Sequence, residues 1–107
     1  MRVLAISILV SILIPASALH AQEPNGGVRA GQKLFARYCA ECHGATGQGT
    51  DRAPSLRVYV KRSQPPMLVS FIKNGKLQAG MPSWSRLPDQ QLSQIVEYLQ
   101  MLAERGQ

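Results

Sequence analysis

Two cysteines spaced by two residues, with histidine directly after, stand at Cys39-Ala40-Glu41-Cys42-His43. This pentapeptide is the attachment pattern for c-type haem. Each thiol can add to a porphyrin vinyl group as a thioether, and the adjacent imidazole then reaches the iron. Other uses of two close thiols fit less well. A thioredoxin-like dithiol wants a βαβ context, and no strand alternation of useful length is present. Zinc wants about four ligands, but the only other histidine, His20, lies in a segment expected to be removed. A disulfide leaves His43 without a role.

An iron held by one imidazole has a second axial position to fill or leave open. Donors downstream are Met67, Met81 and Met101, then Lys73 and Lys76. Met67 and Met101 fall in helical patterns, where methionine ordinarily packs a core. Met81 stands in Gly80-Met81-Pro82, a loop with no helical face to serve. Gly80 permits close backbone approach to a flat cofactor, and Pro82 restricts the chain beside the sulfur. Met81 is therefore the expected axial thioether, in the Met/His pairing of electron-transfer haems.

The elements that must position these groups read as helices. From Val28 to about Ala40, apolar or small residues recur at helical spacing: Val28, Gly31, Leu34, Phe35 and Tyr38. Gly44 to about Pro54 is rich in Gly and polar residues and reads as loop. A short helix is expected from Leu56 to Lys61. Pro65-Pro66 suits a first helical turn, so another helix should run from about Met67 to Lys73 and stop at Asn74-Gly75. Lys76 to Leu87 reads as loop. A last helix from about Asp89 to Ala103 carries the cleanest apolar stripe: Leu92, Ile95, Val96, Leu99 and Leu102.

The chain of 107 residues allows one small domain. Its start reads as a secretory signal peptide over residues 1–21: Arg2, an apolar run from Val3 to Ile14, then Ala16-Ser17-Ala18 in A-x-A spacing. Cleavage is expected after Ala18 or Ala21; the alternative is an uncleaved anchor. Residues 22–27 read as a flexible lead-in and 28–107 as the domain. So small a domain usually needs a staple, a metal or a partner, and the haem-free chain is expected to fold poorly. The formal net charge is +6. With no basic helix interleaved with aromatics, and with export expected, this charge points away from nucleic acid and toward acidic docking surfaces on redox partners. Arg57, Lys61 and Arg62 form the densest basic cluster, which equally suits an ordinary solvated face.

The chain resembles the small bacterial periplasmic class I cytochromes c. The resemblance runs from about Val28 to Leu102 and rests on Gly31-x-x-x-Phe35, Cys39-x-x-Cys42-His43, Gly80-Met81-Pro82, and Ile95 with Tyr98. It implies an all-α fold of three to five helices around one covalently bound haem c, with Cys39 and Cys42 as thioethers and His43 and Met81 as axial ligands. The first and last helices should cross at Gly31, with Phe35, Ile95 and Tyr98 around the crossing. The resemblance also gives the carbonyl of Pro54 as acceptor for the ligating histidine, an outer contact that orients the ring. Leu56 then lies against the haem, and Trp84 serves either a propionate or the core. Arg52 and Arg57 are candidate propionate partners. The sequence departs from the family at Leu87-Pro88-Asp89, where a serine or threonine cap is usual; Pro88 at the first helical position and Asp89 as cap are both open.

The function implied is one-electron transfer between periplasmic or membrane redox partners, without enzymatic activity of its own. Contact with the membrane would come only through partner complexes or an uncleaved signal. A haem subunit of a larger dehydrogenase or oxidase complex is the alternative. A small haem peroxidase or gas sensor fits less well, because it needs an open sixth position.

Overall fold

A computed structural model of the protein describes residues 8–13 and 26–106. The proposed cleavage positions Ala18 and Ala21, His20 and most of the lead-in lie outside the described residues. Residues 8–13 are exposed and without regular structure. Among the described residues no helix is long and apolar enough to cross a membrane.

Five α-helices follow: α1 Gly26–Tyr38, α2 Ala40–His43, α3 Arg57–Arg62, α4 Pro65–Asn74 and α5 Asp89–Arg105, with a 3-10 turn at Leu77–Ala79 before α5. The all-α expectation holds: the described residues contain no strand, only an isolated antiparallel bridge between Lys76 and Met81. Helix α5 is the hub, in contact with α1, α3 and α4. Its inner face buries Leu92, Ile95, Val96, Tyr98, Leu99 and Ala103. Phe35, Val60, Leu68 and Ile72 close the core from the other helices.

The crossing of α1 over α5 depends on Gly31. A Cβ there would stand 2.5 Å from the carbonyl carbon of Gln94 and 3.0 Å from Cβ of Tyr98. Phe35 and Tyr98 pack ring to ring beside it, with centroids 5.4 Å apart and planes tilted 58°, a favoured aromatic geometry.

Several boundaries differ from the sequence reading, each for a local reason. Gly26 and Gly27, read as lead-in, are the first residues of α1. The missing side chain at Gly27 leaves room for the Glu97 carboxylate of α5, and negative charge is favoured at a helix N-terminus. Helix α4 starts at Pro65 because Gln64 before it is extended, with ψ 147°, as a residue preceding proline prefers. It stops at Gly75, whose φ of 69° is easy only without a Cβ.

At the start of α5, Pro88 takes neither place considered for it. It is the cap residue, extended at ψ 147°, and Asp89 is the first helical residue. The Pro88 carbonyl accepts the N–H groups of Gln91 and Leu92 at 2.9 and 3.1 Å. Met67, expected in the core, is 63% exposed. The inward face of α4 is set by Leu68 and Ile72, four apart, and Met67 sits about 100° round the helix from Leu68. Met101 does pack against the core.

Candidate functional site

Cys39 lies at the hinge between α1 and α2. Its φ of −119° breaks the helix, yet hydrogen bonds bracket the break: Cys39 N–H to the Phe35 carbonyl and His43 N–H to the Cys39 carbonyl, both 2.9 Å. Both cysteines are free thiols. Cys39 is half-buried and Cys42 exposed. Burial pushes the Cys39 thiol up from 9.0 to about 11, and the neighbouring Cys42 adds to the rise. The thiol at Cys39 is therefore neutral at ordinary pH, and conversion to a thioether removes its ionisation altogether.

His43 ends the one-turn helix α2, and Gly44, at φ 86°, turns the chain away. The loop that follows folds back onto α2 at several points. Nδ1 of His43 lies 3.1 Å from the Pro54 carbonyl oxygen. A carbonyl can only accept, so Nδ1 carries the proton and Nε2 keeps its lone pair for a metal. Gly49 N–H donates to the His43 carbonyl at 2.7 Å. Thr50 Oγ1 donates to the Cys42 carbonyl, and the Arg52 guanidinium pairs with Glu41 at 3.0 Å. Leu56 N–H closes the loop on the Gly47 carbonyl at 2.9 Å.

Met81 is positioned by a second set of backbone bonds. Lys76 and Met81 exchange both N–H···O=C bonds, at 2.9 and 3.0 Å, and Gly80 makes the turn between them at φ 84°. The chain after Met81 is then stitched to the end of α4. Ser83 Oγ donates to the Lys73 carbonyl at 2.8 Å. Trp84 N–H reaches the carbonyls of Ile72 and Lys73 at 3.3 and 3.2 Å. Met81 itself is half-buried against the core.

The remaining candidates fall in different places. Leu56 packs on the core edge, while Pro54 is exposed. Trp84 rests on the ring of Tyr38, at a centroid distance of 5.1 Å, with the Arg86 guanidinium 5.2 Å from its own ring centre. This contact brings the loop after Met81 to the end of α1, next to Cys39. Arg57 turns toward the end of α5, beside Gly106. Its Nε is buried without a hydrogen-bond partner among the described residues. Lys73 pairs with Asp89 at 3.0 Å. Sequence reasoning missed Thr50, Ser83 and the Lys76–Met81 bridge. Nothing in residue spacing marks them, because each acts through backbone groups brought near only by folding.

The residues present suit a haem. One imidazole nitrogen and one thioether sulfur are available, with two free thiols separated by two residues. A Cβ at Gly80, beside the methionine, would meet nothing within 4 Å. Val58, Tyr59, Met67 and Leu77 leave large apolar side chains exposed among the described residues, with the Tyr59 ring tilted against Phe71 at 5.6 Å. Among the described residues no group of three or more His, Cys, Asp or Glu side chains gathers to hold a metal.

Comparison with known proteins agrees with this chemistry. The profile of the cytochrome c oxidase, cbb3-type, subunit III family matches residues 26–99. Quinohemoprotein alcohol dehydrogenase ADH-IIG of Pseudomonas putida is 32% identical over 73 residues, 67% of this chain. The match spans only 10% of that much longer protein. No solved structure gives a significant match. The chain belongs to the family of cbb3-type cytochrome c oxidase subunit III, a c-type cytochrome domain that carries covalently bound haem and serves electron transfer.

Proposed function

We propose that the chain is a one-electron carrier of the periplasm, with His43 and Met81 as axial ligands and Cys39 and Cys42 as the covalent attachment. The observation that carries this is the Pro54 carbonyl at His43 Nδ1, which orients the ring and leaves Nε2 free to bind iron. The bound haem supplies reversible one-electron cycling between ferrous and ferric iron. The protein's part is to hold both ligands still and to keep other ligands out. The Lys76–Met81 bridge does so on the methionine side. Rival donors are less well placed: Met67 is exposed, Met101 faces the core and Lys73 is paired with Asp89. A peroxidase or gas sensor needs a sixth position that opens, which a backbone-braced Met81 resists. Methionine ligation favours the ferrous state, so a positive potential is expected. Electrons would enter and leave by the face carrying the exposed Cys42, guided by acidic partner surfaces.

The optical spectrum of the reduced and oxidised protein, with its intact mass, tests the reading. One haem covalently added, a leader removed after Ala18 or Ala21, and methionine–iron absorption are the expected results. Met81→Ala should abolish that absorption and let carbon monoxide bind rapidly to the reduced protein. An unchanged spectrum in that variant refutes the ligand assignment. A second reading, a haem subunit of a larger dehydrogenase or oxidase complex, draws support from the two matches. Co-purification with a large redox partner from the native host distinguishes it from a free carrier.

A further inference from the structure

We infer that Thr50 is a positioning residue that sets how strongly His43 donates electrons to iron. This rests on the ligation proposed above. The Thr50 side chain ties the returning loop to the haem-attachment peptide and braces the loop itself. Its hydroxyl donates to the Cys42 carbonyl and accepts the Arg52 backbone N–H at 3.0 Å. Its own N–H donates to the Ala53 carbonyl at 2.9 Å. Ala53 is bonded to Pro54, whose carbonyl meets His43 Nδ1 at 3.1 Å. A closed circuit therefore runs from Cys42 through Thr50 and Ala53 to Pro54, and back through His43 to the residue beside it.

The circuit has a chemical consequence. A carbonyl accepting from Nδ1–H raises the basicity of the opposite ring nitrogen. A more basic ligand stabilises ferric over ferrous iron and lowers the reduction potential. Pro54 is exposed, and no core side chain fixes its carbonyl. It is held between the turn before it, which Thr50 closes through Ala53 and Arg52, and the Leu56–Gly47 bond after it. Without the hydroxyl, the turn loses its attachment to Cys42 and the bond from Arg52, and the Pro54 carbonyl is freer to leave the imidazole.

The test uses the mature haem-loaded protein and three variants. Thr50→Val removes both hydroxyl bonds while keeping shape, and Thr50→Ser keeps the hydroxyl. Thr50→Ala gives the same answer as valine should the valine variant fail to mature. The reduction potential should rise in the valine or alanine variant, by up to a tenfold change in the ferrous-to-ferric equilibrium, about 59 mV for one electron. In the reduced protein, exchange of the His43 ring Nδ1 proton with deuterated water, read by NMR, should speed up in the same variants. Serine should return both to parental values. The inference is overturned if potential and exchange stay at parental values without the hydroxyl, or if serine shifts them as far as valine does. Methionine–iron absorption is read in every variant. If the parent lacks it, the ligation is wrong; if it persists everywhere while the potential does not move, only the role of Thr50 is wrong.

Discussion

Replacing Gly31 with alanine sets two opposed effects against each other, and the geometry decides between them. Inside a helix, Gly→Ala ordinarily stabilises by about 1 kcal/mol, because glycine gives up more backbone freedom on folding. At Gly31 the new Cβ would fall 2.5 Å from the Gln94 carbonyl carbon and 3.0 Å from Tyr98 Cβ, where ordinary contact begins at 3.4 Å. The neighbour is backbone in the middle of α5, so it cannot swing aside like a side-chain tip. The helices must part along the line that packs Phe35 against Tyr98, since the Gln94 carbonyl oxygen is struck as well as its carbon. Overpacking of this kind costs about 1–3 kcal/mol or more. Set against the propensity gain, the net expectation is a loss of about 2 kcal/mol, at the upper end of that range because backbone is struck. A domain of this size shifts its melting temperature by about 4–8 °C per kcal/mol, so Gly31→Ala should melt about 10 °C below the parent. The assay is thermal unfolding of the haem-loaded protein, followed by circular dichroism and by haem absorption. A variant melting at or above the parent would refute the reasoning, for it would mean that α1 and α5 do not cross at Gly31.

Two further substitutions probe the core and the surface. Leu92 is fully buried at the heart of α5, so Leu92→Ala should cost about 2–5 kcal/mol by lost burial and a residual cavity, read as a lowered denaturant midpoint at unchanged slope. The Lys73–Asp89 pair is short, at 3.0 Å, but its side chains are 44% and 76% exposed. Lys73→Gln should therefore change stability by less than about 1 kcal/mol, and a larger loss in the same titration would show that the pair holds α4 to α5.

The helices were legible wherever an apolar stripe or a strong terminator marked them. Helix α5 shows the stripe, since Leu92, Ile95, Val96 and Leu99 recur at helical spacing. Gly75 likewise marks the end of α4 through its left-handed φ. Cys39, Cys42 and His43 could be proposed from sequence because they fall within five consecutive residues. Met81 could be proposed from its Gly80-Met81-Pro82 loop and from the helical setting of the other methionines, whereas the bridge to Lys76 that steadies it is invisible before folding. Exposure of Met67 was misjudged because helical membership does not say which face turns inward. The start of α5 at Asp89 was legible, but its cap was not, because proline can cap a helix through its carbonyl without offering a side-chain acceptor. The arginines were the least legible. Long charged side chains reach several partners, and folding directs Arg52 to Glu41 and Arg57 to the end of α5.

The architecture separates what keeps the domain folded from what tunes its chemistry. Stability is concentrated on α5, which contributes most of the buried core and touches three other helices. Neither proposed iron ligand lies on that helix. His43 and Met81 are each braced by backbone hydrogen bonds, one from the loop ending at Pro54 and the other from the turn at Lys76. A one-electron change makes and breaks no bonds in the protein, so its speed depends on how little the ligands rearrange between the two states. Backbone braces suit that demand, because they fix position without adding charge near the iron. The separation has a measurable form. Leu92→Ala should lower the melting temperature and leave the potential in place, whereas Thr50→Val should move the potential at a smaller cost in stability, about 0.5–1.5 kcal/mol for each of the two hydroxyl hydrogen bonds lost. If both variants shifted potential and melting temperature in proportion, the hub and the ligand loops would be one cooperative unit, and the division of labour argued from the contacts would not exist.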